Sequence, residues 1–492
     1  MTDALRTSDT LPLEITPMLA KADKSQGPLV LVLCSPAMGH MNPMLQITQH
    51  LVQCGYDVSF LASDGYRDHV ERCGAVFLPH KGFINYRSET DLHRLFSDFV
   101  HVPRGVPQLL WIHEKLWINS IPSGLESIRA ALESLRERGP DREVVILCES
   151  MYSGILPLKL GAELPKGYSE LPPTLGISIM PAMWASPDTG PFGFGLPADS
   201  SESGRLRTTV IAKLFAEDSC KRTFDRLADT LQYLCGTTQP LQTIYGDHAS
   251  VIHHGLWDAG WACHDTTLQM CIPPLELPRS DWPPNFKFGG TLPRKEVPAD
   301  YAYPVWWDEI VDNSTRPEPE RKKVVFVAQG TVVQDYGDMI LPTIRGLADR
   351  RDLIVMAVLG AKGAELRLSD GEALPCNVRV VDYLLYDAAL PFTDVFAVTG
   401  GYGALSHGVT NGVPMVLAGD SEDKIEVSLR GESAGCAIAL RSGKPSQEEI
   451  VGAINAILED VGYKTRALAL RKQAEEFKPL DVVEQEMLAL LR

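Results

Sequence analysis

The chain has 492 residues, 45% hydrophobic and 22% charged, with a formal net charge of −17. That length holds roughly two to three ordinary domains, and the balance is that of a globular protein rather than a disordered or fibrous one. The acidity, with no Lys/Arg-rich stripe, excludes a nucleic-acid binder, although backbone N–H groups can still hold a single diphosphate.

Residues 1–27 are polar and lack the apolar core of a signal peptide. No run approaches the roughly 18–20 apolar residues of a membrane span, so neither leader nor anchor is expected. The ten cysteines are scattered, with no Cys-x-x-Cys pair, which predicts reduced thiols and a cytoplasmic setting. Residues 28–34 form a continuous apolar run, the mark of a parallel strand covered on both faces. A turn over 35–42 precedes Pro43, which is expected to open a helix that ends at Gly55 before a second strand at 56–61. In such a βαβ unit a ligand sits beyond the first strand, in the turn that holds Gly39-His40-Met41-Asn42-Pro43. Taken by position alone, His40 is a polar cap or a titratable group at the site.

Residues 80–121 are rich in aromatics and carry weak strand character, and 144–148 read as a strand with Glu149 at its end. Glu149 is either an ordinary exposed carboxylate or a partner for His40. The Pro/Gly-rich stretch 184–197 reads as a loop. Aromatic loops beside a cleft suit a flat, greasy ligand, and Phe83, Trp111, Trp184 and Phe192 are the candidate lining, the competing reading being that most such rings are core. Residues 276–323, dense in proline and charge, read as a linker interrupted at 286–291. A second alternating series follows, with strands expected at 324–328, 353–358, 378–381, 395–398, 415–418 and 437–440. Ser446-Gln-Glu-Glu449 is a capping box for a helix whose buried stripe is Ile450, Ile454, Ile457, Leu458 and Val461.

The most informative stretch is the strand ending at Val398, then Thr399-Gly400-Gly401-Tyr402-Gly403-Ala404, Gly412-Val413-Pro414 and Glu422-Asp423-Lys424. Glycines let backbone donors approach a ligand, and the helix start adds positive potential suited to phosphate. This order resembles the donor motif of the family 1 nucleotide-sugar glycosyltransferases, in the variant that reads Gly-Gly-Tyr-Gly and closes on Glu-Asp-Lys. The resemblance runs from about residue 28 to the C-terminus. It implies an α/β, GT-B fold: two Rossmann-like, doubly wound domains facing across a cleft. The acceptor domain would span 28–275 and the nucleotide-sugar domain 324–470, with the helix at 471–492 returning to the first.

The resemblance further implies roles. Gly39-His40-x-x-Pro43 matches the segment whose His is the general base, and Glu149 falls where an Asp orients it, one methylene longer than usual. Gly330 and Thr331 would face the phosphates. Tyr383 would stack on the base, with Leu384 and Leu385 reading its edge, and Tyr386 stands where Gln is common. Thr399 replaces a diphosphate-binding His, so its hydroxyl would have to substitute. Gly401, Tyr402, Gly403 and Ala404 would supply backbone donors, His407 stands where Glu binds the ribose, and Asp423 with Lys424 would hold the sugar.

The expected activity is inverting transfer of a hexose, with UDP-glucose as the leading donor, to a hydroxyl or activated aromatic carbon of a lipophilic acceptor. No prosthetic group is expected, and without an Asp-x-Asp triplet no metal. The partners would be the small-molecule acceptor and the nucleotide sugar, with the protein a monomer or weak dimer. The competing readings are an epimerase or phosphorylase of the same fold, and a degenerate transferase acting as a non-catalytic partner. A dehydrogenase is disfavoured, because neither domain's first strand is followed by Gly-x-Gly-x-x-Gly.

Overall fold

The computed structural model describes residues 27–86, 94, 97–236, 258–330 and 335–491. Short runs of Val, Leu and Ile with both faces covered build two parallel sheets, as expected where helices flank each side. The first has the order β3-β2-β1-β4-β5-β6-β7, formed by Leu29–Leu33 (β1), Asp57–Ala62 (β2), Val76–Pro79 (β3), Val144–Glu149 (β4), Thr174–Ser178 (β5), Thr266–Gln269 (β6) and Phe286–Phe288 (β7). The second has the order β10-β9-β8-β11-β12-β13, formed by Lys323–Ala328 (β8), Leu353–Val358 (β9), Val378–Val381 (β10), Val395–Val398 (β11), Met415–Leu417 (β12) and Ala437–Ala439 (β13).

Each sheet reverses its winding at one place, between β1 and β4 in the first and between β8 and β11 in the second. A ligand crevice forms just beyond the strand ends at such a switch point. The register puts Leu33 beside Cys148, so the turn after β1 meets Glu149 at the end of β4. Ala328 lies beside Val398, so Gln329 meets Thr399.

Three segments differ from the sequence reading. The first helix spans Met38–Gln53 and takes Pro43 inside it. Pro43 is the sixth residue of that helix and has no N–H to offer the Gly39 carbonyl four residues before it. His40 therefore lies in the first helical turn and not in a loop. The aromatic stretch expected to be strand-like is helical: Val106–Ile112, a π-helical turn His113–Ile118, and Asn119–Arg138. From Ile121 onward its buried residues recur at helical spacing (Leu125, Ile128, Leu132, Leu135), which overrides the β preference of the rings before it. The proline-rich stretch is also spent on structure, since β7 pairs with β6 and the helix Trp307–Thr315 buries Trp307 and Ile310 in the second core.

The final helix, Pro479–Ala489, packs Val483 and Met487 against Met44 and Leu51 of the first helix. A buried ion network joins the two halves. Arg430, on the helix Lys424–Ser433, donates to Glu276 Oε2 at 2.7 Å and Glu426 Oε2 at 3.1 Å. The other oxygens accept backbone N–H groups, Ala182 on Glu276 and both Gly193 and Gly195 on Glu426, each at 2.9 Å. Arg430→Ala would leave two buried carboxylates without their cation and is expected to cost about 3–5 kcal/mol. Thermal unfolding measures it, and an unchanged midpoint would mean that the network is solvated.

Candidate active site

His40 Nδ1 lies 3.2 Å from Glu149 Oε1, an oblique contact rather than a fully aligned hydrogen bond. The carboxylate is fully buried, while the imidazole keeps 15% of its side chain exposed. The extra methylene of Glu149 is taken up at the strand end, where Oε1 folds back to accept the Met151 N–H at 2.8 Å. Burial pulls the imidazolium pKa of His40 down, but the Glu149 charge, contact with it, and Asp423 outweigh that, so the net shift is upward. Burial pushes Glu149 up, and His40, the Met151 N–H and the Ser35 hydroxyl bring it below the usual carboxylate value. The pair is therefore an anion beside an imidazole of strengthened proton affinity.

Trp117 approaches the His40 ring edge-on, with centroids 6.0 Å apart. It stands on the π-helical turn, a distortion frequent at functional sites, and its Nε1 is buried with no hydrogen-bond partner among the described residues. It belongs to the aromatic stretch at 80–121 that the sequence marked, but nothing there singled it out as the neighbour of His40. Of the expected lining, Phe83 is exposed against Tyr86, and Trp111 is half-buried against Phe99. The structure buries Trp184 and Phe192 in the core of the first domain, the competing reading of these rings, and not at an exposed lining.

On the opposite side, Gly400 turns at φ +84°, a conformation that favours glycine, but Gly401 does not, with φ −67°. A Cβ added to Gly401 or Gly403 would meet nothing within 4 Å. Neither backbone strain nor packing calls for glycine at 401 and 403; the space before them is open. The helix Tyr402–Asn411 starts there, so the first-turn N–H groups of Tyr402 and Gly403 have no intrahelical acceptor. The Ala404 N–H already donates to Gly401 O at 2.9 Å. The Tyr402 ring is buried, and its hydroxyl accepts from Gln269 Nε2 at 3.0 Å, another link between the halves.

Thr399 donates its hydroxyl hydrogen to Gln329 O at 3.0 Å. That bond clamps the two turns of the switch point together, so this hydroxyl is not available to donate to a phosphate as the sequence suggested. Gly330 turns at φ +75° with open space before it; Thr331 lies outside the described residues. Tyr383 is 36% exposed at the end of β10, with the Lys362 ammonium 5.8 Å from its ring centre. The Leu384 side chain is buried, and the Leu385 N–H is spent on the Tyr301 hydroxyl at 3.1 Å. Tyr386 packs in the core on Phe326 and Phe396.

His407 lies one helical turn beyond Gly403, on the same face. Its Nδ1 is 2.9 Å from Asp387 Oδ1, which also accepts Asn411 Nδ2 at 3.0 Å. Lys424 is gripped by Glu422 and by Ser421 Oγ, and Glu422 holds a left-handed φ of 48°. Asp423 lies between them. Burial raises its pKa to about 6, aided by Glu422 and opposed by Lys424 and by His40. Asp423 is the N-cap residue of the helix Lys424–Ser433, which the Arg430 network ties to the domain that carries His40. Arg104 also joins the two halves, donating to Asp338 and Asp420 at 3.1 Å each.

Two parallel, doubly wound sheets joined in this way have the GT-B architecture. Residues 353–490 match the family model described as erythromycin biosynthesis protein CIII-like, C-terminal domain. The chain is 37% identical over 467 residues to UDP-glucosyltransferase 1 of Beauveria bassiana (strain ARSEF 2860), covering 93% of this chain and 94% of that one. It is 30% identical over 469 residues to 4'-demethylrebeccamycin synthase of Lentzea aerocolonigenes, covering 93% and 97%. The solved calicheamicin glycosyltransferase CalG4 shares the fold at a TM-score of 0.64 and 16% identity, over 95% of this chain and 98% of that one. The chain belongs to the family 1 UDP-glycosyltransferase-like enzymes and uses a nucleotide-sugar donor. No helix among the described residues is long and apolar enough to cross a membrane.

Gly403→Ala tests the open space. Alanine favours the helix by up to about 1 kcal/mol, so stability should hold or rise, while the new methyl enters the cleft and weakens nucleoside diphosphate binding. Calorimetry beside thermal unfolding separates the two effects, and undiminished affinity would place the diphosphate elsewhere.

Proposed function

We propose that the enzyme transfers glucose from UDP-glucose, with inversion, to a hydroxyl of a lipophilic natural product, and that His40 is the general base. The observation that carries this reading is the His40–Glu149 pair facing Asp423 across the cleft. The names of the two relatives support the donor and the acceptor class. His40 Nε2 takes the acceptor O–H proton as the oxygen forms its bond to the anomeric carbon. The bond from that carbon to the diphosphate oxygen breaks on the opposite face, and UDP leaves with its electron pair. Glu149 holds Nδ1–H in place and stabilises the imidazolium as it forms.

Tyr402 and Gly403 N–H groups, at the positive end of their helix, meet the charge that develops on the leaving diphosphate. Gly330, Gly401 and Ala404 shape the turns around it. Thr399 contributes by fixing the two turns to each other. Tyr383 stacks on uracil, the Leu384 backbone borders its edge, and His407, held by Asp387, meets the ribose. Asp423 accepts sugar hydroxyls while Lys424 orders the loop through Glu422. Phe83 and Trp111 bound the acceptor, with Trp184 and Phe192 behind them.

His40→Ala should lower turnover about 10²–10⁴-fold while UDP binding persists; a variant with near-parent turnover would remove His40 from the role. The base must be neutral to act, and its pKa is raised from 6.5, so activity should be lost as pH falls through a value above 6.5. Glu149→Gln removes the charge responsible for most of that rise. The acid limb of kcat/KM should then move to lower pH while turnover drops, and an unmoved limb would make Glu149 a structural residue only. A panel of nucleotide sugars, read by mass shift of the acceptor, tests the donor; a stronger reaction with another sugar nucleotide would replace UDP-glucose.

A further inference from the structure

On the far side of the first domain, the helix Met38–Gln53 and the final helix Pro479–Ala489 bring four metal-ligating side chains together. His50 and Cys54 stand four apart in sequence and so face the same way, and Asp481 and Glu484, three apart on the other helix, face them. His50 Nε2 lies 3.6 Å from Cys54 Sγ, 3.9 Å from Asp481 Oδ1 and 3.9 Å from Glu484 Oε2. The ligand atoms of His50, Cys54 and Glu484 all fall within 4.8 Å of one another. A tetrahedral zinc with bonds of about 2.0–2.3 Å sets its ligand atoms about 3.3–3.6 Å apart, so small side-chain rotations would close this set around one ion.

We propose that these residues form a binding site for a zinc-like divalent cation, with His50, Cys54 and Glu484 as ligands and Asp481 or water in the fourth position. The chemistry of the donor set fits a borderline-soft ion: one imidazole nitrogen, one sulfur and carboxylate oxygen. The Tyr56 hydroxyl donates to Glu484 Oε1 at 2.8 Å and leaves Oε2 turned toward His50. That is the orienting contact from outside the ligand shell that metal sites use to fix a carboxylate. Binding releases the Cys54 thiol proton to solvent, and the cation offsets the two carboxylates on this partly buried patch. His50 is ten residues along its helix from His40, about 15 Å at the helical rise, so the ion takes no part in glycosyl transfer. Its effect is to staple the last helix of the chain to the helix that carries His40.

The test is titration of the full chain, stripped of metal, with Co²⁺ as the probe. One equivalent should produce thiolate-to-cobalt charge-transfer absorption that Zn²⁺ displaces, and Zn²⁺ should raise the thermal midpoint. Cys54→Ser should abolish the charge-transfer band, and His50→Ala should weaken binding at least tenfold. Both variants should keep the metal-free parent's thermal midpoint and its transfer rate. If either fails to fold, Glu484→Gln, which retains an acceptor for Tyr56, should show the same weakening. Absence of the band in the parent, or its survival in Cys54→Ser, overturns the site. Neither result bears on the role of His40, because transfer is measured separately.

Discussion

Each sheet has its own apolar core, and Cys271, Ile272 and Leu275 after β6 already enter the second one. The buried polar link beside them is Arg430, whose side chain keeps only 4% of its surface and which lies between Glu276 and Glu426. Taking three charges out of water is expensive, and apolar side chains of similar volume often stabilise a fold as well or better. What the ions add is direction. Glu276 belongs to the segment after β6 and also holds the Ala182 N–H, while Glu426 holds the N–H groups of Gly193 and Gly195. The loop at 182–195 is thereby pinned to the helix Lys424–Ser433 at several backbone points. That helix begins with Asp423 as its N-cap residue. One element therefore fixes both the interdomain alignment and the group that faces His40.

In the proposed donor site, a chain with a net charge of −17 would hold a diphosphate by backbone donors and open volume rather than by cations. Gly401 and Gly403 leave room that neither their conformation nor their packing requires, and the Tyr402 and Gly403 N–H groups have no intrahelical acceptor. The side chains nearest by sequence are committed elsewhere. Thr399 binds Gln329, and the Tyr402 hydroxyl binds Gln269. Both bonds make the turn rigid, so the donors need not reorganise when charge develops against them.

Much of this was legible in the sequence because its signals are local. Apolar runs marked β1, β2, β4 and β8 to β13, but β3, β5 and β6 escaped prediction. The Ser446–Glu449 capping box is present as read, although Val461, expected in the buried stripe of its helix, starts the next helix and is exposed. The glycine-rich turn declared itself by composition, and Glu149 by its place at a strand end. What escaped the sequence depends on distant partners. Arg430 and Glu276 are 154 residues apart, and Arg104 and Asp420 are 316 apart, with no local pattern to join them. The Thr399 hydroxyl was assigned outward because nothing in its neighbours reveals the Gln329 carbonyl across the switch point. Trp117 was legible as one of the aromatics at 80–121, but its place beside His40 was not, because that contact joins residues 77 apart in sequence.

In the proposed mechanism, charges from both domains act on His40. Burial raises the Asp423 carboxyl to about 6, so it is still mostly an anion at neutral pH, and its charge adds to that of Glu149 in raising His40. Sugar hydroxyls that donate to this carboxylate would favour its ionised form further. Glu149 supplies the larger part of the basicity of His40 from inside the first domain, and Asp423 a smaller part from the second. The coupling is carried by charge between two groups on elements that the Arg430 network ties together.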